Sequence, residues 1–248
     1  MQIVTETAAI PVDGLAMRAF LARPRAEGRS PGVVFYSDIF QLTGPMIRVS
    51  ERLAGYGFTV LAPEIYHRIE PPGLAIPFDD AGRTRGLEDA GKTPVAHFDA
   101  DIRAAIDFLG AHPAVAPGQL AAAGFCLGGH LAFRAALQPD VKATTCFYGT
   151  GIHDGKLGQD PDAGSLARAN EIRGELLMIF GSNDPHVPEP GRRAIDEALR
   201  AADTRYSIQL FPAEHAFMRD EGPRYDPEAT DGAFAAMVDL FRKVFGKA

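Results

Sequence analysis

The chain has 248 residues, 46% of them hydrophobic, and a formal net charge of −7. That length can bury a sizeable core and suits one α/β domain over residues 1–248, while the acidic balance argues against nucleic acid or an anionic membrane as partner. No 18-residue apolar run is present, the first residues lack the basic and apolar parts of a signal peptide, and Cys126 and Cys146 are the only cysteines, so a cytoplasmic protein without a disulfide framework is expected.

In chain order, Val12-Asp13-Gly14 reads as a turn joining two N-terminal strands into a hairpin. Val33 to Ser37 is a short apolar strand. Thr43 to Tyr56 reads as a helix with Thr43 as N-cap and Gly57 just past its end. Phe58 to Ala62 is the next strand. Pro63 to Val95 is irregular, with five prolines and four glycines, and reads as a partial lid carrying Arg83 and Tyr66. Phe98, Ile102, Ile106 and Leu109 then recur at spacings of four, four and three, one apolar helix face.

Next comes Gly124-Phe125-Cys126-Leu127-Gly128-Gly129-His130, between the apolar run Leu120 to Ala123 and a helical stretch, Leu131 to Leu137. This is the pattern of a nucleophile elbow with cysteine in place of serine. A tight strand-to-helix turn needs small neighbours and sets the sulfur at a helix N-terminus, whose partial positive charge favours thiolate. The run Ala143 to Tyr148 reads as a strand in which Cys146 is buried and inert.

Leu176 to Phe180 is a continuous apolar run, read as a buried parallel strand, and Asp184 follows it in Gly181-Ser182-Asn183-Asp184-Pro185-His186. Ile195, Ala198, Leu199 and Ala202 form another helix face. The alternating run Tyr206 to Phe211 precedes Ala213-Glu214-His215-Ala216-Phe217, and Phe234, Met237, Leu240, Phe241 and Val244 close the chain with an apolar helix face. Nucleophile, acid and histidine thus occur in the order expected of an α/β-hydrolase, on loops after predicted strands. Cys126 is the expected nucleophile, His215 its base, and Asp184 the group that orients the imidazole. The amide of Leu127 and one near Ile39 are the expected oxyanion donors.

On these segments the chain resembles the dienelactone hydrolase family, the carboxymethylenebutenolidases of the α/β-hydrolase superfamily. The resemblance runs over nearly the whole chain, through Asp38-Ile39-Phe40, Ala62 to Tyr66, the Cys126 elbow, Phe147-Tyr148-Gly149, the Asp184 loop and the His215 segment. It implies an α/β-hydrolase fold, with a mostly parallel central sheet flanked by helices and no separate cap domain. It also implies a cofactor-free, metal-free enzyme acting on a small lactone or ester, most specifically dienelactone opened to maleylacetate through a thioester. The family's oxyanion amides map to Ile39 and Leu127, and its two carboxylate-binding arginines to Arg219 and Arg83. Two positions depart from its pattern. Asp38 stands where the family's nucleophile-activating glutamate falls, and Gln41 replaces a glycine, where its side chain is expected to narrow or decorate the pocket.

Blander readings stand beside these. His130 is explained by helix packing, and His186 by a place on the pocket rim. Asp184, His186 and His215 match no zinc spacing. Arg219 pairing with Asp220 or Glu221 is the alternative to substrate contact. A general carboxylesterase or thioesterase would use the same triad, a non-catalytic lactone-binding protein would have no use for Asp184 behind His215, and dehalogenase-like hydrolases place aspartate at the elbow. The sequence leaves the choice between monomer and small homo-oligomer open.

Overall fold

The structure, a computed structural model, describes residues 1–25 and 28–246. Its strands are β1 (Ile3–Val12), β2 (Leu15–Pro24), β3 (Ser30–Tyr36), β4 (Thr59–Pro63), β5 (Val115–Phe125), β6 (Val141–Phe147), β7 (Glu175–Gly181) and β8 (Tyr206–Phe211). They form one sheet in the order β1-β2-β4-β3-β5-β6-β7-β8. β2 runs antiparallel to β1 and β4, and the remaining pairs are parallel. Asp13 and Gly14, both at positive φ, close the β1–β2 hairpin.

The helices are α1 (Gly44–Gly55), α2 (Asp80–Lys92), α3 (Val95–Ala111), α4 (Leu127–Ala136), α5 (Glu189–Ala201) and α6 (Pro227–Phe245), with a 3-10 helix at Leu166–Glu171. Two buried cores result, one on each face of the sheet. Phe98, Ile102 and Leu109 of α3, Leu131 of α4 and Leu199 of α5 fill one; Leu53 of α1 and Phe234, Met237 and Phe241 of α6 fill the other. With both faces covered, β3 is buried from Pro31 to Tyr36, as its unbroken apolar run requires.

This strand order places the site. The chain leaves β3 for β4 on one side, then returns through α2 and α3 to β5 on the other side of β3. The C-terminal ends of β3 and β5 therefore flank a topological switch point, where open α/β sheets form a crevice. Asp38 and Ile39 follow β3, and Cys126 follows β5.

One expectation needs correction. Pro63 to Val95 is not irregular throughout: α2 occupies 80–92, its first turn capped by Asp79, whose Oδ1 accepts the Gly82 amide at 2.7 Å. Its packing stripe is glycine rather than an apolar face. A Cβ at Gly82 would stand 2.0 Å from the Pro77 carbonyl oxygen, and one at Gly86 2.3 Å from that of Ile39. Thr43 is the N-cap of α1 as expected, by backbone position and without a side-chain capping bond.

Candidate active site

The turn after β5 holds Cys126 at φ 56° and ψ −118°, in the strained region that few side chains adopt. Its neighbours are small for reasons of space. A Cβ on Gly124 would lie 2.0 Å from the Gly128 carbonyl oxygen, and one on Gly128 2.3 Å from those of Tyr36 and Ser37. The Cys126 amide donates to Phe147 O at 3.0 Å, tying the elbow to β6. The half-buried sulfur sits over the N-terminus of α4, whereas Cys146 is buried in β6 and burial pushes its thiol pKa up.

The acid and histidine loops are locked together by the backbone. Ser182 N donates to Phe211 O at 2.7 Å and Asn183 N to Ala213 O at 3.1 Å. Gly181 permits this approach, since a Cβ there would stand 2.3 Å from Ala213 O. Asp184 and His215, both buried, meet at 2.7 Å between Oδ2 and Nδ1. The other Asp184 oxygen accepts the His186 amide at 2.7 Å, which leaves the carboxylate acceptor-only and sets the His215 tautomer. Tyr148 braces the imidazole edge-on, with ring centroids 5.1 Å apart.

Burial works against a charged imidazole at His215. The Cys126 sulfur, by charge and hydrogen bonding, and Asp184 outweigh it and push the His215 pKa up to about 9. Asp184 is held below the ordinary carboxylate range: burial opposes ionisation, but the bond and charge of His215 and the His186 amide prevail. The raised imidazole and the carboxylate behind it are the partners that a sulfur nucleophile needs.

Ile39 and Leu127 line the same cavity as Cys126, and the amide of neither donates to a backbone acceptor among the described residues. The cavity measures about 730 Å³ and is walled by Phe40, Phe78, Leu87, Leu157 and Pro223 along with the polar groups. That is within the range of small-ligand sites. His186 lies on its rim, its ring 4.6 Å from that of His215.

Arg219 is not paired with Asp220 or Glu221; both of those carboxylates go to Arg48. Instead it binds Asp38 Oδ2 through Nε at 3.1 Å and Nη2 at 2.6 Å, with its guanidinium 4.7 Å from the rings of Phe40 and Phe78. Gln41 also departs from expectation. It is buried at φ 64°, a conformation glycine meets more easily, and it does not line the cavity. Its side chain reaches away, donating to Leu74 O at 3.2 Å and accepting from Tyr66 N at 3.1 Å, so it pins the lid rather than the pocket.

Among the cavity residues that sequence reasoning missed, two carry chemistry: Thr150 lies 3.9 Å from the Cys126 sulfur, and Arg224 lines the cavity together with Arg83 of α2. Of the cavity's cations, Lys156 pairs with Asp154 and Arg219 with Asp38. Arg83 and Arg224 make no ion pair among the described residues, and both guanidiniums join burial in lowering the pKa of His186. A cavity-facing cation on an irregular loop carries no periodic signal, which is why Arg224 was not singled out.

A mostly parallel sheet flanked by helices, with a nucleophile elbow at its switch point, defines an α/β-hydrolase. A model of the "Dienelactone hydrolase family" matches residues 17–245. A yeast relative from Saccharomyces cerevisiae, named "Putative carboxymethylenebutenolidase", is 36% identical over 93% of this chain and 88% of its own. The "Carboxymethylenebutenolidase" of Pseudomonas sp. strain P51 is 29% identical over 88% and 87%. The crystal structure titled "Putative Dienelactone Hydrolase" from Klebsiella pneumoniae superposes with a TM-score of 0.87 at 27% identity, covering 98% of this chain and 100% of that one. The chain belongs to the dienelactone hydrolase family, and it is a hydrolase acting on esters or lactones.

Proposed function

We propose that the enzyme opens a small lactone or ester, most specifically dienelactone to maleylacetate, through a Cys126-His215-Asp184 triad without a cofactor. The observation that carries this reading is the buried 2.7 Å Asp184–His215 bond beside a strained cysteine, under a cavity lined by Ile39 and Leu127, whose amides have no backbone acceptor among the described residues. The Cys126 thiolate attacks the carbonyl carbon, and the carbonyl oxygen takes the negative charge onto the two amides. As the ring C–O bond breaks, the leaving oxygen receives the His215 proton. The ring-opened chain stays attached as a thioester. His215, now neutral, takes a proton from water; the hydroxide carbon–oxygen bond forms, the carbon–sulfur bond breaks, and acid and thiolate are released.

In the same reading Asp38 serves the elbow indirectly. Its carboxylate fixes the Ile39 loop by accepting the Phe40 amide at 3.0 Å while binding Arg219. A carboxylate on the substrate would meet Arg83 and Arg224, the cavity cations that make no ion pair among the described residues, rather than Arg219. The setting is the cytoplasm, where both thiols stay reduced, and the partner is a small molecule.

The test is kcat/KM for dienelactone and for p-nitrophenyl acetate on wild type and Cys126→Ala. Preference for dienelactone, abolished in the variant, supports the reading. Cys126-dependent preference for the neutral ester favours a general esterase with the same triad. Undiminished turnover in Cys126→Ala overturns the triad itself.

A further inference from the structure

Behind the elbow lies a buried polar chain that the proposed triad does not use. Cys126 is the N-cap of α4, and His130 and Arg134, four residues apart, lie on one face of that helix behind it. Thr150, on the loop after β6, touches Cys126 twice: its amide donates to Cys126 O at 3.2 Å, and its Oγ1 lies 3.9 Å from the sulfur. Its own carbonyl oxygen is 3.0 Å from His130 Nδ1, and His130 Nε2 is 2.7 Å from Ser165 Oγ. Arg134 Nη1 donates to Ser165 Oγ at 2.9 Å and to Ala163 O at 2.8 Å, while its other nitrogens grip Asp99 at 2.7 and 2.6 Å.

The protons in this chain have one consistent arrangement. A carbonyl oxygen only accepts, so His130 Nδ1 carries hydrogen. His130 is fully buried beside Arg134, and burial first, then that charge, lower its pKa to about 3. It is therefore neutral, and its Nε2 accepts. Ser165 donates to it and accepts from Arg134. Ser165 stands at the start of the 3-10 helix yet makes no capping bond, because its hydroxyl is committed to His130 and Arg134. The loop cannot relax away: Gly149 packs against Gly129, and Gly151 at φ 73° sits where a Cβ would be 1.9 Å from Lys156 O.

Among the described residues the Thr150 hydroxyl has one side-chain partner, the Cys126 sulfur. We infer that Thr150 donates its hydroxyl hydrogen to the Cys126 sulfur and favours the thiolate, and that His130, Ser165 and Arg134 are positioning residues that aim it. Thr150 is then a further catalytic residue. The inference rests on the reading of Cys126 as nucleophile, and its test separates the two.

The experiment is the pH profile of iodoacetamide alkylation at Cys126, read by peptide mass, in wild type, Thr150→Val, Thr150→Ser and Ser165→Ala. A hydrogen bond to a charged sulfur is worth about one pH unit of thiol titration. The midpoint should rise by about one unit in Thr150→Val, return in Thr150→Ser, and rise in Ser165→Ala. Thermal midpoints of the two Thr150 variants show that both fold. An unmoved midpoint in Thr150→Val, or one equally moved in Thr150→Ser, overturns the role of Thr150. An unmoved midpoint in Ser165→Ala overturns the positioning role. A wild-type Cys126 inert to iodoacetamide overturns the nucleophile reading and this inference with it, whereas a reactive thiol indifferent to Thr150 overturns this inference alone.

Discussion

Arg219 holds Asp38 with two nitrogens on one carboxylate oxygen, at 3.1 and 2.6 Å, while the other oxygen takes the Phe40 amide at 3.0 Å. Both side chains are only 12–13% exposed. An arginine four residues after the histidine is thereby committed to the loop that carries Ile39. Its charge is answered before any substrate arrives.

Arg219→Ala should consequently lower turnover of anionic and neutral esters by the same factor, with a loss of stability of about 2 kcal/mol from leaving Asp38 unpaired in a half-dry site. Urea unfolding and kcat/KM on a charge-matched ester pair measure both. A loss confined to the anionic ester would return Arg219 to the substrate.

The charge-selective residue is expected to be Arg224. It lines the cavity and, like Arg83, makes no ion pair among the described residues. Arg224→Ala should raise KM for a carboxylate-bearing ester about tenfold, the scale of one charge-assisted hydrogen bond, and leave the neutral ester alone. Equal effects on both esters would remove Arg224 from substrate recognition.

How much of this was legible in the sequence depends on what each residue needs from its neighbours. The elbow and the Asp184 loop are short local patterns with glycines at fixed offsets after apolar strands, and the His215 segment is a short pattern after the alternating run Tyr206 to Phe211, so all three could be singled out from residue type and order. The α2 helix could not, because its contact stripe is Gly82 and Gly86 rather than apolar side chains, and a periodicity argument counts glycine as a breaker. Pairings were harder still. Arg219 meets Asp38 across 181 positions, and Gln41 turns to Leu74 and Tyr66 for reasons set by its positive φ. The Thr150 contact depends on how the loop after β6 folds over α4, which no local pattern announces.

A pH prediction follows from His215. Its pKa stands at about 9, above the ordinary 6.5, and after opposing burial the leading cause is the charge on Cys126. The folded value exceeds the ordinary one, so the ring is protonated at pH values between the two. In Cys126→Ala that charge is gone while Asp184 remains, so the ring's pKa should fall and its neutral fraction should rise within the same window. Nitrogen-detected NMR of the imidazole across that range checks this, provided the wild-type titration is read as that of the coupled pair. A ring whose charge state ignores the Cys126→Ala change would speak against an imidazolium–thiolate resting state.

The contact between α2 and the Ile39 loop offers a test that removes no polar group. Gly86 of α2 lies so close to this loop that an added Cβ would stand 2.3 Å from the Ile39 carbonyl oxygen and 3.1 Å from Ile39 Cβ. Tyr66 anchors the same turn of α2 from the other side, its hydroxyl donating to Gly86 O at 3.0 Å, so the helix has little freedom to retreat. Gly86→Ala should therefore displace Ile39, and with it one oxyanion donor. Loss of such a donor lowers kcat by about 10²-fold. Because the thiolate is set on the other side of the elbow, the alkylation rate of Cys126 should stay at the wild-type value. A fall in kcat with an unchanged alkylation rate assigns the Ile39 loop to the oxyanion. If kcat is unchanged instead, the second donor must come from another residue.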